Sequence, residues 1–148
     1  SDDDRTTAAS LRWLLQGDAG QRALAAWYLG WAEAQNASGT DWIAPQLATL
    51  LEDPYDAVRY VAGKSLRTLP GYEDVEYDYM GPAAALASAK QATWTEFREQ
   101  TNANRSMGAL MDPARARSLL LYPDGSLDRL TISKLLRQRD DKRVQIAE

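Results

Sequence analysis

The amino-acid sequence predicts an all-α domain, a short α-solenoid of stacked antiparallel helix pairs, and three observations carry that expectation. Arg22, Ala25 and Leu29 recur as Arg59, Ala62 and Leu66 with the same internal spacing, 37 residues further on, and self-similarity at a period of roughly 20 to 50 residues marks a repeat architecture. Apolar residues around these positions fall at helical spacing, and Asp residues stand where helices begin, which supplies a buried stripe and an N-cap. The 148 residues are 45% hydrophobic and 26% charged, the balance of one globular domain rather than of a disordered or collagen-like chain.

The first unit is a helix ending in Leu14-Leu15, a turn carrying Asp18, and a second helix with Arg22, Ala25 and Leu29 on one face. In the second unit Asp41 is expected to cap a helix whose apolar positions Ile43, Leu47, Leu50 and Leu51 share one stripe. Asp53 and Pro54 then read as Ncap and N1 of the following helix, where a carboxylate satisfies free amides and a residue without N–H loses nothing. Val58, Val61, Ala62, Ser65, Leu66 and Leu69 continue that helix, and Pro70-Gly71 ends it.

Residues 71–80 form an acidic, Tyr-rich linker in which Glu73, Asp74, Glu76 and Asp78 alternate with Tyr72, Tyr77 and Tyr79. Because a repeat unit buries its face only against neighbours, and about three units are usually needed, residues 81–148 must complete the core as a divergent helical cap over the open end of the stack. Pro82 to Gln100 reads as a helix with Leu86, Ala89, Thr93 and Phe97 on one face. Asp112-Pro113 opens a short helix running through Leu119-Leu120-Leu121, and Tyr122-Pro123-Asp124-Gly125 is a turn. Ser126 is expected to cap a last helix from Leu127 to Arg139, with Leu127, Leu130, Leu135 and Leu136 inward. Arg143 to Ala147 alternates polar and apolar residues as a short strand would.

Asp53-Pro54, Val58-Arg59, Ala62 and Leu66 resemble the signature of the HEAT and HEAT-like (phycobilisome-lyase-type) repeats, an Asp-Pro turn followed by Val-Arg, Ala and Leu. The first copy, Asp18-Ala19-Gly20-Gln21-Arg22, lacks the Pro and the Val, and the resemblance covers residues 8 to 70. It implies two HEAT-like repeats in residues 1–70 and a scaffold that binds proteins. It also implies that Asp18, Arg22, Asp53 and Arg59 are turn and ladder residues between repeats. HEAT-like modules are often appended to larger bacterial proteins, including exported multihaem cytochromes, so the resemblance implies a terminal module of such a chain.

Composition narrows the chemistry. With no Cys and no His, the chain forms no disulfide, holds no thiolate- or imidazole-bound zinc, attaches no c-type haem and runs neither Cys-His nor Ser-His catalysis. Only Lys64, Lys90, Lys134 and Lys142 could act as amine nucleophiles, and none stands in a long apolar run. Neither GxxxxGK[ST] nor GxGxxG occurs. Asp140-Asp141, between Arg139 and Lys142, reads as a surface cluster. No catalytic residue, metal or cofactor is therefore expected. The N-terminus has neither the basic nor the apolar region of a signal peptide, and no apolar run approaches the roughly 18 to 20 residues of a membrane span. The expectation is a soluble chain, cytoplasmic or exported, without membrane insertion.

Three constellations remain. Trp27, Trp31, Tyr60 and Lys64 lie on the second helices, and the aromatic three form either a protein-binding patch or packing against a preceding segment that includes Trp13. The four linker carboxylates lack the offsets and the sixth-position Gly of a calcium loop, so their tyrosines are expected to pack while the acids stay in water. The basic residues Arg115, Arg117, Arg129, Lys134, Arg137, Arg139, Lys142 and Arg143 alternate with Asp128, Asp140, Asp141 and Glu148. The net charge is −4, a poor match to a polyanion. The expected partner is a protein or a domain of the parent chain, with a nucleic-acid-binding HEAT-like domain as the alternative.

Overall fold

The computed structural model describes residues 8–108, 110–139 and 141, and among these it is all-helical, with a lone antiparallel bridge between Leu121 and Leu127. The elements are α1 (Ala9–Gln16), α2 (Ala19–Leu29), α3 (Ala32–Ser38), α4 (Ile43–Ala48) continued by a 3₁₀ turn (Thr49–Glu52), α5 (Asp56–Leu66), α6 (Ala83–Ser106), α7 (Pro113–Ser118) and α8 (Arg129–Arg137). The possible strand from Arg143 to Ala147 lies outside the described residues.

Helix α1 packs on α2, α4 with its 3₁₀ turn packs on α5, and α2 lies along α5. The core they enclose is aliphatic. Leu11, Leu14, Leu15, Ile43, Leu47, Leu50, Leu51 and Leu66 have no exposed surface, and each such side chain contributes about 1.5–3 kcal/mol relative to an exposed one. The described helices after residue 81 do not sit on one end alone. Helix α6 lies along α4 and the 3₁₀ turn, whereas α8 reaches back to α1, so the expected cap spans both helix pairs.

Short turns follow from local chemistry. Between α1 and α2 only Gly17 and Asp18 intervene, and Asp18 forms a capping box. Its Oδ1 accepts from the Gln21 amide at 2.8 Å, while its own amide donates to Gln21 Oε1 at 2.9 Å, satisfying two amides at the helix start. Asp112 caps α7 by accepting from the Arg115 amide, with Pro113 in the first turn.

Several boundaries differ from the sequence expectation. Asp41 caps nothing: α4 starts at Ile43 without a side-chain cap, and the Asp41 carboxylate accepts from Arg115 Nη1 and Nη2 at 3.2 and 3.0 Å. Asp53 is not the Ncap of α5 either, since that helix begins only at Asp56. Its carboxylate accepts from the Tyr55 amide at 3.0 Å and from Arg22, and the guanidinium is the stronger partner for a buried anion. Ser126 does not cap α8. Its hydroxyl donates to Asp124, and Asp128 takes the cap by accepting from the Thr131 amide. With Leu127 held in the bridge to Leu121 and the helix starting at Arg129, the inward face shifts. Leu130 is 81% exposed and Ile132 is 2% exposed. The short α7 stops at Ser118, before the three leucines, and Leu120 adopts φ +60°. Helix α6 extends past Gln100 to Ser106, adding Thr101 to the buried row of Leu86, Ala89, Thr93 and Phe97. Helix α3 was not expected from the sequence. Gln35 ties it down, donating to the Leu29 carbonyl and to Thr68 Oγ1.

The acidic linker is strapped to α5. Arg59 Nε donates to the Tyr79 carbonyl at 2.7 Å, Arg67 Nη2 to the Tyr77 carbonyl at 2.8 Å, and the Tyr77 hydroxyl to the Leu51 carbonyl at 2.8 Å. Tyr77 lies so close to the backbone of α5 that a Cβ on Gly63 would stand 2.6 Å from its ring. Glu73, Asp74, Glu76 and Asp78 all remain exposed.

Candidate functional site

Helix α2 is apolar on two opposite sides. Arg22, Ala25, Ala26 and Leu29 face the core, and Leu24, Trp27 and Tyr28 face out, with Trp31 just beyond the helix. The outward set is spaced i, i+3, i+4, i+7, which is itself a helical stripe. The two-residue turn sets α1 beside it, so Ala9, Ser10 and Trp13 join Leu24, Trp27 and Tyr28 around an open groove of about 390 Å³. Trp27 and Trp31 pack at 5.0 Å between ring centroids, and Tyr28 lies 6.4 Å from Trp31. Trp13, Leu24, Trp27, Tyr28 and Trp31 are each about half exposed.

Of the residues singled out in the sequence, Trp27 and Trp31 meet here and Tyr60 does not. Tyr60 packs edge-on against Tyr79 at 5.1 Å, and Lys64 is exposed on α5. The sequence expectation does not include Leu24 and Tyr28, and it offers Trp13 only as a packing partner in one of its two alternatives. The signal was present in the stripe from Leu24 to Trp31, which duplicates on the far side of α2 the periodicity already assigned to its core face.

Three of the four Asp and Arg residues of the repeats, Arg22, Asp53 and Arg59, join in one polar network around the buried Arg22–Asp53 pair. Arg22 donates from Nε to Asp53 Oδ2 at 2.8 Å, from Nη2 to Asp53 Oδ1 at 3.1 Å, and from Nη1 to the Gly17 carbonyl at 2.8 Å. Arg59 Nη1 donates to the Asp53 carbonyl at 2.7 Å. Asp18 remains at its own turn as the cap of α2. Two further residues attach from beyond α8: Arg139 Nη1 lies 3.7 Å from Asp53 Oδ2, and Asp141 Oδ1 lies 3.3 Å from Arg22 Nη2. Asp141 is thus part of this network and not merely of a surface cluster. Asp140, Lys142 and Arg143 fall outside the described residues.

Two of the other basic residues are engaged within the fold. Arg115 is held by Asp41, whose hydrogen bonds raise its pKa further, and Arg129 stacks over the Trp94 ring at 5.0 Å. Among the described residues no group of three or more acidic side chains is arranged to hold a metal ion, and no helix is long and apolar enough to cross a membrane.

Compared with known proteins, the chain matches no family model, no curated protein and no solved structure.

Proposed function

We propose that this chain is a noncatalytic HEAT-like module that binds another protein, or another domain of a larger bacterial parent chain such as an exported multihaem cytochrome, through the aromatic groove of α1 and α2. The observation that carries the reading is the exposure of Trp13, Leu24, Trp27 and Tyr28 around a groove with almost no polar lining, with Trp31 packed on Trp27. Trp and Tyr dominate the energetics of protein interfaces, and a contiguous exposed apolar patch of this kind marks an interaction surface. A groove between two adjacent helices suits an amphipathic helix of the partner.

The HEAT-like reading is supported by the pairing of α1 with α2 and of α4 with α5, by the packing of α2 along α5, and by the Arg22–Asp53 bond between the two pairs. Nucleic-acid binding, the alternative, is less well supported, because Arg115 and Arg139 are engaged by Asp41 and by Asp53 with Asp141. The test compares the wild type with Trp27→Ala/Trp31→Ala in crosslinking and capture from cells that express the natural chain. The expected result is loss of the partner with unchanged helix content. A drop in helix content would assign the two rings to the core, and an unchanged partner would remove the groove from the interaction.

A further inference from the structure

A second cleft, on the other side of the molecule's chemistry, is basic. Helix α6 carries Trp94, Arg98, Asn102 and Arg105 at intervals that keep them on one side, with the buried Phe97 beside them. Together with Leu127 and Arg129 from the approach to α8, they line a cleft of about 310 Å³, the lower end of what small-molecule sites occupy.

The three arginines are not equivalent. Arg105 is neutralised by Asp124, with Nη2 3.0 Å from Oδ2. Arg129 lies with its guanidinium carbon 5.0 Å above the Trp94 ring, and Arg98 stands one helical turn from that same Trp94. Among the described residues, neither Arg98 nor Arg129 has a carboxylate partner. Lys90 also sits 5.0 Å from the Trp94 ring, with its charge balanced by Glu52 at 2.6 Å. Two uncompensated guanidinium groups therefore face one cleft in a chain whose net charge is −4. An anion entering the cleft would meet both charges.

We propose that this cleft binds a small phosphate monoester. A dianionic phosphoryl group can accept paired N–H donors from both Arg98 and Arg129, the geometry that guanidinium groups offer to phosphate, with the Asn102 amide within the same lining. Phe97 and Leu127 provide an apolar wall for the organic part of the ester. The limited volume favours a compact ligand, and the charge of Arg105 is already offset by Asp124. The site is independent of the aromatic groove, which lies on α1 and α2.

Calorimetric or NMR titration of the full chain at low salt with phenyl phosphate, inorganic phosphate and phenol tests the proposal. Phenyl phosphate should bind one to one and more tightly than inorganic phosphate, and phenol should not bind. Arg98→Gln and Arg129→Gln should each weaken phenyl phosphate about tenfold, the loss expected for a charge-assisted contact. Arg98 is exposed and unpaired, so Arg98→Gln keeps the test sound even if Arg129→Gln disturbs the stacking on Trp94. Absence of phenyl phosphate binding, or equal affinity in Arg98→Gln, overturns the proposal. Binding of a single-stranded oligonucleotide that phenyl phosphate does not displace would also overturn it, in favour of nucleic acid.

Discussion

Arg22 and Asp53, 31 residues apart in the chain, meet through two hydrogen bonds of 2.8 and 3.1 Å, and neither side chain is exposed. Planar guanidinium against carboxylate fixes distance and angle together, so the pair sets how α2 approaches the turn before α5. Removing both charges from water is costly, and their attraction repays it only when the remaining donors are satisfied. Here Arg22 Nη1 reaches the Gly17 carbonyl and Asp53 also accepts from the Tyr55 amide.

Breaking that pair from one side strands a buried charge. Asp53→Leu should lower stability by about 3–5 kcal/mol, read as a lower urea midpoint at unchanged slope. Adding Arg22→Met should recover a large part of the loss, because an apolar pair of similar volume leaves no charge stranded. Additive losses in the double variant would mean that the pair was not coupled.

The groove and the core should respond oppositely to truncation. Trp27 is half exposed, so Trp27→Ala is expected to change stability by no more than about 1 kcal/mol. Leu47, with no exposed surface, should cost about 2–5 kcal/mol as Leu47→Ala. Denaturant unfolding of the two variants side by side checks the contrast.

Gly63→Ala tests the strap. Its Cβ would stand 2.6 and 2.8 Å from ring carbons of Tyr77, forcing the ring and its bond to the Leu51 carbonyl to move, at an expected cost of about 1–3 kcal/mol. Hydrogen exchange of the linker amides should accelerate more than that of α1.

Alkaline pH should unfold the chain through two tyrosines. Burial raises the Tyr72 and Tyr77 hydroxyls above their ordinary value of 10.0, with Glu96 adding to the effect at Tyr72. Their folded pKa values are raised, so the stability they contribute is complete below pH 10 and is lost as the pH climbs beyond it, where only the unfolded chain ionises readily. Ultraviolet titration should show these two phenols ionising with unfolding, and Tyr77→Phe should soften the decline.

Periodicity made the core of the two helix pairs legible: Ile43, Leu47, Leu50, Leu51, Val58 and Leu66 are buried as their spacing implies. Caps were less legible, because a carboxylate near a helix start has competing partners. Asp18 found its own turn, whereas Asp41 and Asp53 were drawn to arginines far along the chain. The basic cleft was not legible: of its arginines only Arg129 stands among the basic residues read from the sequence, and Arg98 and Arg105 do not. Its meaning depends on which arginines already hold an acid, and that is decided by tertiary contacts such as Arg105 with Asp124.

Helix α8 against α1, with the Ala8 amide donating to the Ser118 carbonyl, joins the beginning of the described chain to its last third. An open array can fray from a free end, one unit at a time. Here the first helix pair cannot peel away without releasing the last described helix, so among the described residues that pair is not a free end from which melting can start. The molecule should unfold in a single all-or-none step, and its folding should be slower than its helical content suggests, because the contacts between α8 and α1 are among the most distant in sequence.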